Sequence, residues 1–185
     1  QWDFKRGINF IKIAYDKNFE GLITFNIMSG KSISDYGTLF LDYYSYLEDN
    51  ILLTQELLKL NYKKFIYIST IDVYNDSPLF SDETYSPNIS KLSYGNNRYI
   101  FELMVKEMVK TDDLKIFRLP ALFNKNIKKN VLYDLIHNNN VEQINQNSFF
   151  QWYNLDNLKS DIDKFSTEYP EEVVFNLFTE PIHTS

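Results

Sequence analysis

The stretch KFIYISTIDVY (residues 64–74) decides the fold of this chain. Its first six residues form a nearly continuous apolar run, which is typical of a central β-strand that is buried on both faces. The run ends in two hydroxyl residues, Ser69 and Thr70. Further along, YGNNR (residues 94–98) sets Tyr94 and Arg98 four positions apart, on one face of a helix. A strand-end hydroxyl, a tyrosine and a cation can together move a proton beside a hydride transfer, although Tyr94 and Arg98 alone also fit an ordinary solvated helix.

The rest of the chain alternates short apolar runs with longer segments of helical periodicity, which indicates strand–helix units around a parallel sheet. The predicted strands are residues 21–27, 64–69, 114–119 and 173–178, with a small strand at 149–153. The predicted helices cover about 35–60, 90–111, 130–138 and 155–165, and the polar segment 138–147 is predicted as a loop. We therefore expect an α/β fold, a Rossmann-like parallel sheet with flanking helices.

Composition excludes several classes of function. The 185 residues carry a net charge of -6, and a nucleic-acid surface would need clustered Lys and Arg. The absence of cysteine removes thiolate catalysis and Cys-ligated zinc, and His137 and His183 lack the spacing of metal ligands, so we expect no metal site. No apolar run is long enough to span a membrane, so we expect a cytoplasmic protein with no membrane partner.

A glycine-rich phosphate cradle is missing from this sequence. A doubly wound sheet that binds a dinucleotide opens with a strand, a glycine-rich turn and a helix. The five glycines form no such cluster: Gly7, Gly21, Gly30, Gly37 and Gly95. We expect residues 1–185 to form a single, incomplete doubly wound domain whose two ends look cut. Residues 21–125 would be the sheet and helix core, and residues 126–185 a C-terminal segment on the substrate side.

Five motifs in this order resemble the extended short-chain dehydrogenases/reductases, the NAD-dependent epimerase/dehydratase family. The first is the strand end at residues 65–74, in which two small hydroxyl residues are followed by Val-Tyr. The second is a Tyr-Gly helix with a cation at position 98 (Tyr94 to Arg98), and the third is a strand that ends in Arg-x-Pro (Arg118 to Phe123). The fourth is an asparagine in the helix before the first motif (Asp49 to Ile51), and the fifth is a later strand followed by a helix (Gln151 to Leu158).

The resemblance implies roles for individual residues. Tyr94 would be the acid/base group that exchanges a proton with a substrate oxygen, and Thr70 would hydrogen-bond that oxygen. Arg98 would lower the pKa of Tyr94 and also hold the nicotinamide ribose. The other residues implied at the NAD or NADP site are Ser69, Pro120 and Asn50. The substrate implied is a nucleotide sugar, and the reaction is an epimerisation, dehydration or reduction that involves hydride transfer.

Two departures keep a second hypothesis open. The family pattern has lysine at position 98, whereas this chain has arginine, which keeps the charge but cannot relay a proton. Together with the missing cradle, this favours the alternative of a catalytically inactive Rossmann-like scaffold used for binding or dimerisation. In the resembling family the two long helices commonly pair in a homodimer, which makes four residues candidates for such a face or for internal packing: Tyr43, Leu47, Leu103 and Met104.

Overall fold

The computed structural model describes residues 21–25, 55, 62–74, 81–89, 93–109, 113–128 and 130–184. Of the predicted helix at 35–60, only Gln55 falls within these ranges, and it is helical. The candidate residues Tyr43, Leu47 and Asn50 lie outside the described residues.

Eight strands are found in these ranges: β1 (Gly21–Phe25), β2 (Lys64–Thr70), β3 (Asp113–Leu119), β4 (Ala121–Phe123), β5 (Phe149–Phe150), β6 (Trp152–Asn154), β7 (Val174–Asn176) and β8 (Ile182–His183). Four of them form the main sheet in the order β1-β2-β3-β7, and every pair in it is parallel. β4 pairs with β6 in parallel and β5 with β8 antiparallel. The prediction of a parallel sheet is therefore confirmed, whereas the single small strand predicted at 149–153 is two strands that belong to different sheets.

Three α-helices are described: α1 (Tyr94–Met108), α2 (Val131–His137) and α3 (Leu158–Glu168). α1 begins at Tyr94, later than predicted, because Ser93 is extended and its side chain accepts a hydrogen bond from the amide of Asn96 at 3.2 Å. Short 3-10 turns follow β2 (Ile71–Tyr74), interrupt the predicted loop (Val141–Gln143) and precede α3 (Leu155–Asn157). None of the helices in the described ranges could cross a membrane, given their length and polarity.

The two faces of the sheet are covered by different helices. On one face, four strand residues pack against α1 residues in a buried cluster: Phe65, Tyr67, Leu114 and Ile116 against Phe101 and Val105. On the other, alternate strand residues pack against α3: Ile66, Ile68, Phe117 and Phe175 against Leu158 and Ile162. Each fully buried apolar side chain of this kind contributes about 1.5–3 kcal/mol. Helices on both faces make this a doubly wound arrangement, as expected.

A buried lysine ties α3 to the sheet. Lys115 of β3 is 1% exposed, and its Nζ donates hydrogen bonds to the backbone carbonyls of Pro170 and, at 2.6 Å, Glu172. Burial lowers the pKa of Lys115. The ammonium group satisfies carbonyl oxygens just beyond the C-terminus of α3, where a cation is favoured.

Candidate functional site

The carboxyl ends of β2 and β3 meet at one edge of the sheet. Thr70 and Leu119, the last residues of these strands, are partners in the parallel register. Pro120 follows directly and is half-buried; because it has no N–H, it ends the ladder of β3. Ligands of open α/β sheets bind outside the carboxyl ends of the strands, so this edge is the candidate site.

Thr70 is held at this edge by Asp72. The Thr70 hydroxyl donates to Asp72 Oδ2 at 3.1 Å and accepts from the backbone amide of Asp72 at 3.2 Å. This local turn between a threonine and the residue two positions later competes with strand continuation and starts the 3-10 turn. The sequence analysis did not single out Asp72, although its spacing from Thr70 is the signal for such a turn.

Tyr94, the first residue of α1, lies near the same carboxylate. Burial raises the pKa of the Tyr94 phenol, the charge of Arg98 lowers it, and the charge of Asp72 raises it. Both charged groups are therefore within electrostatic range of the phenol, and Asp72 is also the hydrogen-bond partner of Thr70. Arg98 acts on the pKa in the expected direction, but burial outweighs the cation, so the net pKa of Tyr94 is raised. At neutral pH the phenol is therefore protonated and able to donate a proton.

Arg98 lies beneath α1 instead of at the open edge. Its side chain is buried, Nη2 donates to the backbone carbonyl of Ile68 at 2.7 Å, and the guanidinium carbon lies 5.4 Å from the ring centroid of Tyr67. The guanidinium thus anchors α1 to β2 while its charge acts on Tyr94. The contact with the nicotinamide ribose that the resemblance implies for Arg98 stays a prediction.

A buried ion pair occupies the space between α1 and the sheet. Glu102 of α1 and Arg118 of β3 are 0% and 1% exposed, and Arg118 donates from Nη2 to Glu102 Oε2 at 2.6 Å and from Nε to Oε1 at 3.0 Å. Ser69 donates its hydroxyl to Glu102 Oε1 at 2.5 Å. The Ser69 hydroxyl therefore points into the α1 face, and the cofactor role implied for Ser69 stays a prediction.

Tyr74 extends this pair to the edge of the sheet. Its hydroxyl receives a hydrogen bond from Arg118 Nη1 and donates one to the carbonyl of Asp82 at 2.9 Å. Asn176 of β7 lies against the same hydroxyl, with Nδ2 at 3.0 Å. The sequence did not reveal this network, because its members come from five separate segments. Among the described residues there is no group of three or more acidic or histidine side chains that could hold a metal ion.

The fold was compared with known proteins. The sequence matches no protein-family model and no curated protein. Among solved structures it is similar to UDP-glucuronic acid 4-epimerase from Bacillus cereus in complex with UDP-glucuronic acid and NAD. The TM-score is 0.62 with 20% identity, over 77% of this chain and 50% of that chain. An NAD-dependent NDP-hexosamine 5,6-dehydratase involved in tunicamycin biosynthesis gives 0.63 with 16% identity, over 85% and 55%.

This chain has the fold of the NAD-dependent epimerases and dehydratases. It spans about half the length of the solved structures it matches. The same fold also appears in L-threonine dehydrogenase from Phytophthora infestans, with a TM-score of 0.57 and 13% identity, over 85% of this chain and 55% of that chain. Because one fold serves sugar nucleotides in some proteins and an amino acid in another, the fold does not choose the substrate.

Proposed function

We propose that this chain belongs to a cytoplasmic oxidoreductase that acts on a nucleotide sugar with NAD or NADP, with Tyr94 as its acid/base group. The observation that carries the proposal is that the Thr70 hydroxyl, at the carboxyl end of β2, is hydrogen-bonded to Asp72, a carboxylate whose charge also acts on the Tyr94 phenol at the start of α1. A dinucleotide-dependent site needs a proton donor beside the carbon that exchanges hydride, and Tyr94 is suited to this role.

The described residues fit one end of such a cofactor. Thr70 and Pro120 lie at the carboxyl ends of β2 and β3, and the neutral phenol of Tyr94 would complete a site that suits the uncharged reacting end of a nicotinamide. The pyrophosphate would need backbone amides of a glycine-rich turn, which the five glycines of the sequence do not form. NAD(P), when bound, supplies or accepts the hydride.

The protonation state of Tyr94 favours reduction of a carbonyl. Because its pKa is raised, Tyr94 holds its proton at neutral pH and can give it to an oxygen that gains negative charge. The Thr70 hydroxyl donates its hydrogen to Asp72 and accepts the Asp72 amide, so its remaining lone pair could accept from a substrate hydroxyl, and the oxygen of a carbonyl substrate would receive its hydrogen bond from Tyr94. In the reverse direction Tyr94 would have to ionise, and Arg98 would stabilise the phenolate.

The test is ligand binding followed by turnover. The complete protein should bind NAD or NADP in a titration by calorimetry and should oxidise or reduce a UDP- or dTDP-linked hexose. Tyr94→Phe should lower kcat by about 10²–10⁴-fold with an unchanged cofactor Kd, because it removes the proton donor but not the ring. Tyr169→Phe is the matched control, since Tyr169 is 48% exposed and lies at the end of α3. The absence of any dinucleotide binding, or full activity of Tyr94→Phe, would overturn the proposal.

The inactive scaffold remains the second candidate because of Arg98. Its guanidinium is buried and bound to the sheet carbonyl of Ile68, as a purely structural residue would be. Arg98→Lys separates the two functions. A rise in turnover would mean that arginine had weakened a working site, whereas no turnover in either form would favour the scaffold.

We also propose that this chain self-associates through the exposed side of α1. Leu103 is 37% exposed and is available to a partner, but Met104 packs against the buried cluster under α1. Leu103→Glu should leave the fold intact and shift a homodimer toward monomer in sedimentation velocity. An unchanged sedimentation coefficient would remove this face from consideration.

A further inference from the structure

We propose that Tyr74 is a positioning residue for the candidate site, holding residues 81–89 against the sheet edge and thereby fixing the start of α1. We call these residues the edge loop. The inference rests on the proposed function, because Tyr74 can position a catalytic site only if that site is active. The hydrogen bonds from which it is argued involve residues other than Thr70 and Tyr94.

The hydroxyl of Tyr74 has a complete set of hydrogen-bond partners. A tyrosine hydroxyl has one hydrogen to donate and two lone pairs. Its hydrogen goes to the carbonyl of Asp82 at 2.9 Å, so its lone pairs accept from Arg118 Nη1 and from Asn176 Nδ2 at 3.0 Å. Asn176 Oδ1 also lies within 3.2 Å. The single hydrogen is already used, so the amide nitrogen is the group that faces the phenol. Three chain segments are thus joined through one oxygen atom.

The edge loop is tied at both of its ends. Near its start, the Asp82 carbonyl binds Tyr74, and Glu83 Oε1 accepts the backbone amide of Asn176 at 2.9 Å. Near its end, the carbonyl of Asn88 accepts from Asn96 Nδ2 of α1 at 2.9 Å.

Tyr74 connects the edge loop to the buried ion pair. Arg118 donates to Glu102 from Nε and Nη2, and its remaining terminal nitrogen, Nη1, donates to Tyr74. The guanidinium carbon also lies 5.0 Å from the centroid of the Tyr74 ring. The buried, hydrogen-bonded pair of Glu102 and Arg118 is rigid, so its bond to Tyr74 fixes the position of the edge loop relative to the sheet. Without the hydroxyl, the loop start would lose the bond to the Asp82 carbonyl and would keep the exposed contact between Glu83 and the Asn176 amide.

Tyr74→Phe isolates this contribution, because it keeps the ring over the guanidinium and removes only the oxygen. Tyr85→Phe is the matched control in the edge loop itself, where the ring lies 6.2 Å from that of Tyr74. Two measurements apply to the ligand-free protein. Hydrogen exchange follows the Asn176 amide, which is held by Glu83, and carbon-13 NMR of labelled tyrosines follows the titration of Tyr94, assigned with Tyr94→Phe.

In Tyr74→Phe we expect exchange of the Asn176 amide to become at least about tenfold faster, since a loop released at its anchor opens more often. The Tyr94 titration should move toward the ordinary tyrosine value as water reaches the phenol, while Tyr85→Phe leaves both unchanged. Faster exchange with an unmoved Tyr94 titration would reduce Tyr74 to a stabilising residue and overturn the inference, as would unchanged exchange. Neither readout needs turnover, so a failure of the oxidoreductase proposal would be seen separately, in the cofactor titration.

Discussion

Replacing Glu102 by glutamine should be among the most damaging conservative changes in this protein. The substitution keeps the size of the side chain but removes the charge that faces Arg118. It also places an amide NH₂ among donors, because both Arg118 and the Ser69 hydroxyl donate to the Glu102 carboxylate. At least one donor then meets another donor, and a guanidinium that is 1% exposed loses its counter-charge.

The expected cost follows from that burial. Breaking a buried ion pair by removing one partner costs about 3–5 kcal/mol, because the remaining charge is left uncompensated. A domain of ordinary stability has about 5–15 kcal/mol in total, so Glu102→Gln should remove roughly a third of it. For a chain of this size the melting temperature should fall on the order of 10 °C.

The assay is urea unfolding followed by far-ultraviolet circular dichroism on the wild type and two variants. Asp163→Asn is the matched control, since it makes the same acid-to-amide change in the exposed pair that Lys159 and Asp163 form at 2.8 Å on α3. Such a pair contributes no more than about 0.5 kcal/mol. If Glu102→Gln lowered the free energy of unfolding by less than about 1 kcal/mol more than the control, the ion pair would not have the role given to it here.

Three further predictions concern other parts of the molecule. Arg98→Met should raise the pKa of Tyr94 further and Asp72→Asn should lower it, as measured by carbon-13 NMR titration. Because the pKa of Tyr94 is raised in the folded state, its contribution to the free energy of unfolding should be present below about pH 10 and lost above that pH. Lys115→Met should cost about 1–3 kcal/mol in urea unfolding, because two part-buried carbonyl oxygens after α3 lose their donor. An unchanged midpoint would contradict this. Asn138, which ends α2 with φ 51° and ψ 43°, should tolerate glycine but lose about 1 kcal/mol with alanine, and equal stabilities for the two variants would argue against the left-handed cap.

The sheet could be predicted because its signal is local. The continuous apolar run at 64–69 and the run at 114–119 have the length and composition of buried strands, and both form strands in the structure within one residue of the predicted bounds. The run at 149–153 was misjudged as one strand, because an apolar run does not reveal its partner. Phe149 and Phe150 pair with β8, whereas Trp152 and its successors pair with β4.

The candidate site was only partly visible in the sequence. Motif spacing pointed to Thr70 and Tyr94, and the structure places both near Asp72. What spacing could not give was the direction of a long side chain: Arg98 turns under the helix to a strand carbonyl. Nor could it show that Arg118, a charge within an apolar strand, has its partner on a helix of the preceding segment. Such pairings depend on the packing of α1 on β3, which exists only in three dimensions.

The pairing of Glu102 with Arg118 also bears on how distant relatives of this chain could be recognised. Neither residue can change alone without leaving a bare charge inside the molecule, whereas an exchange of both for apolar side chains can be tolerated. Positions 102 and 118 should therefore covary among relatives, even in those in which Tyr94 or Arg98 has been replaced after a change of activity. A sequence search that scores positions 102 and 118 together should detect distant relatives that a search with single motifs does not detect.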